Sequence, residues 1–144
     1  MTIKWDNRFS VDHLTIDAEH KLLLTTINAI EVSLRHPEDT EPLLFFIDQL
    51  HEFALTHFKH EEMLQLKHKY PFIEGNSKGH DSLIVDLDRI RDDVHRIAKK
   101  PTLSVTDMAD LHHHAAYLAK DWLIAHVLKE DLKMKGFMGD GYDE

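Results

Sequence analysis

Two stretches decide the fold: His57-Phe58-Lys59-His60-Glu61-Glu62 at residues 57–62, and Trp122-Leu123-Ile124-Ala125-His126-Val127-Leu128-Lys129-Glu130-Asp131 at 122–131. His57 and Glu61 stand four apart, so on a helix they share one face, one above the other. His126 and Asp131 stand five apart. That is a wider angle, but both still reach one bundle core. On either side of His57, the apolar positions Phe46, Leu50, Phe53 and Leu64 predict a helix over about Glu41 to Lys67. Pro42 is tolerated in its first turn, and Tyr70-Pro71 breaks the pattern.

Three more segments carry the same periodicity. One runs from about Asp17 to Arg35 through Leu23, Ile27 and Ile30. Asp17 is its expected N-cap, and His36-Pro37 its end. Another runs from about Glu74 to Ala98 through Leu83, Leu87, Ile90, Val94 and Ile97, closed by Lys99-Lys100-Pro101. The last opens at Ser104, with Asp107 at capping-box distance, and runs to about Met134. No strand pattern competes. Four helices with short links predict an all-α, up-down four-helix bundle. The expectation is a single domain over 1–144, with an irregular N-terminal arm at 1–16 and a loose tail at 135–144.

Composition sets the boundaries. A chain of 144 residues buries a core without staples. It has no cysteine, hence no disulfides and no thiolate ligands, and a reducing cytoplasm is the simpler expectation. A net charge of -9 and a pI near 5.8 argue against nucleic acid and anionic membranes as partners. No apolar run is long enough to span a bilayer. Thirteen histidines is a high count, and only five glycines and four prolines suits long helices.

Every helix contributes at least one nitrogen or oxygen donor: His20 on the first, His57 and Glu61 on the second, Asn76 and His80 on the third, His126 and Asp131 on the fourth. Imidazole and carboxylate without thiolate suit iron, zinc, manganese or copper. Glu61 and Asp131 are placed to bridge two metals, with histidines in terminal positions.

The Trp5 arm, Ile16-Asp17-x-x-His20-Lys21, His57-Phe58-x-x-Glu61-Glu62, Tyr70-Pro71, His80 and Trp122-Leu123-x-x-His126-x4-Asp131 together resemble a bacterial hemerythrin domain over nearly the whole chain. The resemblance implies two iron ions in an oxo- or hydroxo-bridged, non-heme centre that binds O2 without catalytic turnover. His20 and His57 match the ligands of the iron with an open position. Glu61 and Asp131 match the bridges, and His80 and His126 match two of three histidines on the other iron. The family's His-x3-His reads Asn76-Ser77-Lys78-Gly79-His80 here. Asn76 as a weak ligand, a water or added anion, and a neighbouring histidine such as His60 are the alternatives at that position. A second open position favours an O2 or redox sensor that oxidises readily over an O2 carrier. The resemblance also implies a C-terminal output domain or signalling partner, since family members occur as sensory modules.

Each residue also has a plainer interpretation. A lone core histidine is more often hydrogen-bonded structure than a ligand, and Glu62 reads as the solvated carboxylate of its pair. His13, His36, His51 and His95 read as surface. His112 shares the face of His126 but lies about 21 Å along the axis. Leu123, Trp122, Ile27 and Phe53 are core residues first, and are also candidates for the wall of an O2 pocket. The competing class is a di-iron oxidase acting on O2, NO or peroxide. It favours Glu-x-x-His on two helices, and no Glu-x-x-His occurs.

Overall fold

Each apolar repeat becomes a helix in the computed structural model, which describes residues 2–142, and no strand occurs among them. The helices are α1 (Leu14–Ser33), α2 (Glu41–Lys67), α3 (Ile73–Ala98), α4 (Val105–Tyr117) and α5 (Ala125–Lys129). A π-helical stretch, Leu118–Ile124, joins α4 and α5 into one rod, so the architecture is a four-helix bundle. Neighbours pack around the ring: α1 against α2 and the α4 rod, α2 against α3, and α3 against α4.

The first helix begins three residues earlier than expected. Its N-cap is His13, with extended backbone, whose Nδ1 accepts from Ile16 N–H at 3.2 Å. Asp17, the expected cap, instead accepts from Val11 N–H at 2.9 Å and from the Ser10 hydroxyl, and so ties the arm to α1. The arm is also pinned at Asn28, whose amide exchanges hydrogen bonds with the Ile3 backbone at 2.7 and 2.9 Å. Phe9 is buried and Trp5 packs on the core beside it.

His13 was expected at the surface and is fully buried. The chain end covers it. Gly141, at φ +86°, lies so close that an added Cβ would meet the His13 ring at 2.8 Å. Asp140 O accepts from Leu14 N–H at 2.8 Å. Residues 138–141 therefore fold back on this end of the bundle, and residues 143–144 of the expected tail lie outside the described residues. Met138 joins Met134, Tyr70, Leu64, Ile16 and Val11 in a second apolar cluster that closes this end of the bundle.

The second helix has the expected bounds, and the third starts one residue earlier. Ser104 and Asp107 form a reciprocal capping box at the start of α4. The rod is not one uniform helix to Met134. It widens at Leu118–Ile124, and α5 ends at Lys129, with Glu130 as its C-cap at φ -110°. Asp131 then opens a short 3-10 turn, Asp131–Met134. That break brings a carboxylate five residues after His126 back toward the same core.

Trp122 anchors the interior. It is fully buried, and its indole N–H donates to Leu83 O at 2.8 Å. Outside the core, His51 and His95 are half-buried and clasp carboxylates across α2 and α3, donating to Asp88 at 2.6 Å and Asp48 at 2.7 Å. Such pairs contribute less than about 1 kcal/mol each.

Candidate metal centre

At the end closed by the arm and the tail, six side chains from all four rods meet in one buried layer. His20 comes from α1, His57 and Glu61 from α2, His80 from α3, His126 from α5 and Asp131 from the following turn. Glu61 divides its oxygens. One faces His57 Nε2 at 3.0 Å and His20 Nε2 at 3.4 Å, and the other faces His80 Nε2 at 3.1 Å. Asp131 does the same, with one oxygen 3.2 Å from His20 Nε2 and the other 3.1 Å from His126 Nε2. The layer thus has two halves, each with two imidazoles, joined by two carboxylates.

Close approach is not hydrogen bonding here. The Nε2 atoms of His20, His57, His80 and His126 and both Glu61 oxygens are buried without a directed hydrogen bond. Each unsatisfied buried group costs about 1–3 kcal/mol. Cations between the imidazoles and carboxylates would satisfy them together. Two groups in the layer could hold a metal: Glu61, His80, His126 and Asp131, and His20, His57 and Glu61. The residues fit a nitrogen- and oxygen-ligated metal.

The electrostatics agree. Burial favours neutral His20, but Asp131 and Glu61 outweigh it and raise its pKa to about 10. Burial would likewise raise Glu61, yet His20, His57 and His80 hold it well below the usual carboxylate range. Burial and the Glu61 charge push Asp131 up, and His126 and His20 more than reverse that. His57 and His126 are likewise raised against burial, by Glu19 and Glu61 and by Asp131, so a metal competes with protons for these nitrogens.

A set of outer groups orients the imidazoles. His57 donates through Nδ1 to Glu19 at 2.8 Å, and His80 through Nδ1 to Glu62 at 3.3 Å. Glu62 was expected to be merely solvated. Instead it is half-buried and engaged. His60, a candidate to replace the absent imidazole, turns outward to Glu19 at 2.8 Å. Phe58 stacks on the His80 ring, with centroids 4.1 Å apart at 10°. Glu19 and Gln65 were not anticipated. Gln65 stands one turn after Glu61 on the same face, a spacing that would have found it.

Asn76 is buried at the edge of the layer, between Gln65 and Asp131. Trp122, Leu123 and Ile27 are buried in the main core, with Phe53 half-buried at its margin. His112 and His113 are exposed on α4.

An inward layer of imidazoles and carboxylates in a helical bundle without cysteine defines a cation-binding protein. More narrowly, the chain belongs to the hemerythrin HHE cation binding domain family, whose sequence model matches residues 13–138. A hemerythrin-like protein of Naegleria gruberi is 25% identical over 93% of this chain and 92% of its own length. The myohemerythrin of Theromyzon tessulatum is 25% identical over 92% and 91%. A hemerythrin of Phascolopsis gouldii is 26% identical over 92% and 90%. Among the described residues, no helix is long and apolar enough to cross a membrane.

Proposed function

We propose that this chain binds two non-heme iron ions through His20, His57, Glu61, His80, His126 and Asp131, takes O2 beside His20 and His57, and serves as an O2 or redox sensor rather than a carrier. The observation that carries the reading is the division of both carboxylates between two imidazole pairs. A single cation would need only one oxygen from each. Iron in such a set supplies one-electron redox chemistry and affinity for O2.

The chain's own groups do the rest. Glu61 and Asp131 supply the negative charge that offsets two cations. Glu19 and Glu62 hold His57 and His80 with Nε2 turned inward. Leu123, Trp122, Ile27 and Phe53 keep water from the His20 side. On the other side an amide, Asn76, stands where a further imidazole would complete the donor set. That half is left open to water and small anions, which favours rapid oxidation over storage.

The test is iron content with an optical spectrum, taken on anaerobically reduced protein before and after air. Two irons per chain and a ferric spectrum developing soon after air support the sensor reading. A persisting oxygenated species would point to carriage instead. Sub-stoichiometric iron with no response to air would overturn the di-iron assignment.

A further inference from the structure

The Asn76 amide has a fixed orientation. Its Nδ2 donates to Asp131 Oδ1 at 3.4 Å, and its Oδ1 accepts from Gln65 Nε2 at 3.0 Å. Turned round, it would press an amide oxygen against a carboxylate oxygen with no proton between them. In the metal-free layer the group facing Asp131 is therefore an NH2, which offers no lone pair to a cation. A second observation lies beside it. Gln65 is fully buried, and its Oε1 has no hydrogen-bond partner, while its Nε2 serves Asn76 and Met134 Sδ. An unpaired amide oxygen costs about 1–3 kcal/mol, and a buried water relieves it only where two or more polar partners converge.

The donor count on this half is short. His80, His126 and one oxygen each from Glu61 and Asp131 make four, and the bridging oxygen of the di-iron reading would make five, one short of octahedral iron, as on the His20 and His57 side. The geometry points to a second exogenous-ligand position, on the cation beside His80 and His126, built by Asn76 and Gln65. Its natural occupant accepts from the Asn76 N–H and donates to Gln65 Oε1, which describes water or hydroxide. A bare anion gains the Asn76 donor but meets the Gln65 oxygen without a proton to offer. It enters at higher concentration. The inference rests on the di-iron reading, and its test separates the two.

Iron per chain is measured first, and a value well below two overturns the di-iron reading before any ligand is added. Azide is then titrated into the fully loaded, oxidised protein, with the optical spectrum giving stoichiometry and Mössbauer spectra distinguishing the two irons. The parent should take two azides, and both iron signals should shift. Asn76→His should take one, with one signal unmoved. Gln65→Leu removes the opposing oxygen and should tighten the weaker azide step about tenfold. A parent that takes a single azide at full iron loading overturns the position, whatever the variants do. Two azides with an unchanged weaker step in Gln65→Leu would overturn the role given to Gln65.

Discussion

Glu61 is the residue on which the two halves of the metal layer meet, and its neighbour Glu62 is the natural control. Glu61 is fully buried and faces three imidazoles. Glu62 reaches only the outer nitrogen of His80. Glu61→Ala is therefore expected to lose most of the bound iron after dialysis. Glu62→Ala should retain it, with affinity weakened about 10- to 100-fold, the usual cost of removing an outer partner. Equal retention in metal analysis would refute the bridging role. Asn76 gives the second prediction at this scale. Asn76→His supplies the imidazole that the half beside His80 and His126 lacks, and should slow oxidation of the reduced protein in air. An oxidation rate equal to the parent's would sever sensing from position 76. Of the six inward residues, the four-residue spacing made only the His57–Glu61 pair legible by itself; His20 and His80 stand singly on their helices and Asp131 follows a break, so those and His126 came from the resemblance of the ordered set. Contacts between distant parts of the chain were not legible. Glu19 acts on His57 from another helix, and His13 is covered by Gly141 from the far end of the chain. Neither contact leaves a local spacing to read.

At the scale of elements, the rod that carries His126 differs most from a simple expectation. Its start is conventional. Ser104→Ala removes one arm of the capping box and should cost about 1 kcal/mol in denaturant unfolding. A cost near zero would mean that the Lys100–Asp107 pair holds the turn without it. Farther along, the backbone widens at Leu118–Ile124 before His126. Such widening behaves as one extra residue taken into a helix, and it often marks functional positions. Apolar periodicity could not reveal it, because Leu118, Trp122 and Leu123 fit an ordinary helical stripe equally well. Its function is register. One residue more in an ordinary helix turns the remainder of the rod by about 100°, and the widened turn absorbs it. Lys120 is exposed within this stretch. Deleting it should take out the extra residue, close the turn to ordinary α-helix and leave His126 and Asp131 in the layer, so the variant should stay helical by circular dichroism and still hold iron. Loss of iron from a folded deletion variant would show that the widened turn does not simply absorb an extra residue.

For the molecule as a whole, the metal layer couples stability to proton concentration. His20 is raised from 6.5 to about 10 by Asp131 and Glu61 against the pull of burial. A raised base stabilises fully below its unfolded value and loses that contribution as pH climbs through its folded one. Glu61 and Asp131 are depressed, so their contribution is present above the ordinary carboxylate range and fades in acid. The metal-free protein should therefore be most stable between these limits and weaken steadily from about pH 6.5 toward 10. A bound cation removes the alkaline half of this dependence. It takes over the role of the protons, and the imidazoles bind it in their neutral form. Zinc suits the test because it takes the same donors without redox change. Denaturant midpoints measured near pH 7 and pH 9.5 should fall for the metal-free protein and stay close together for the zinc-loaded one. A flat metal-free profile would mean that the imidazoles are neutral in the folded state, so that loading displaces no protons. A zinc-loaded protein that weakens in parallel would mean that the cation sits elsewhere and leaves the layer's protons in place.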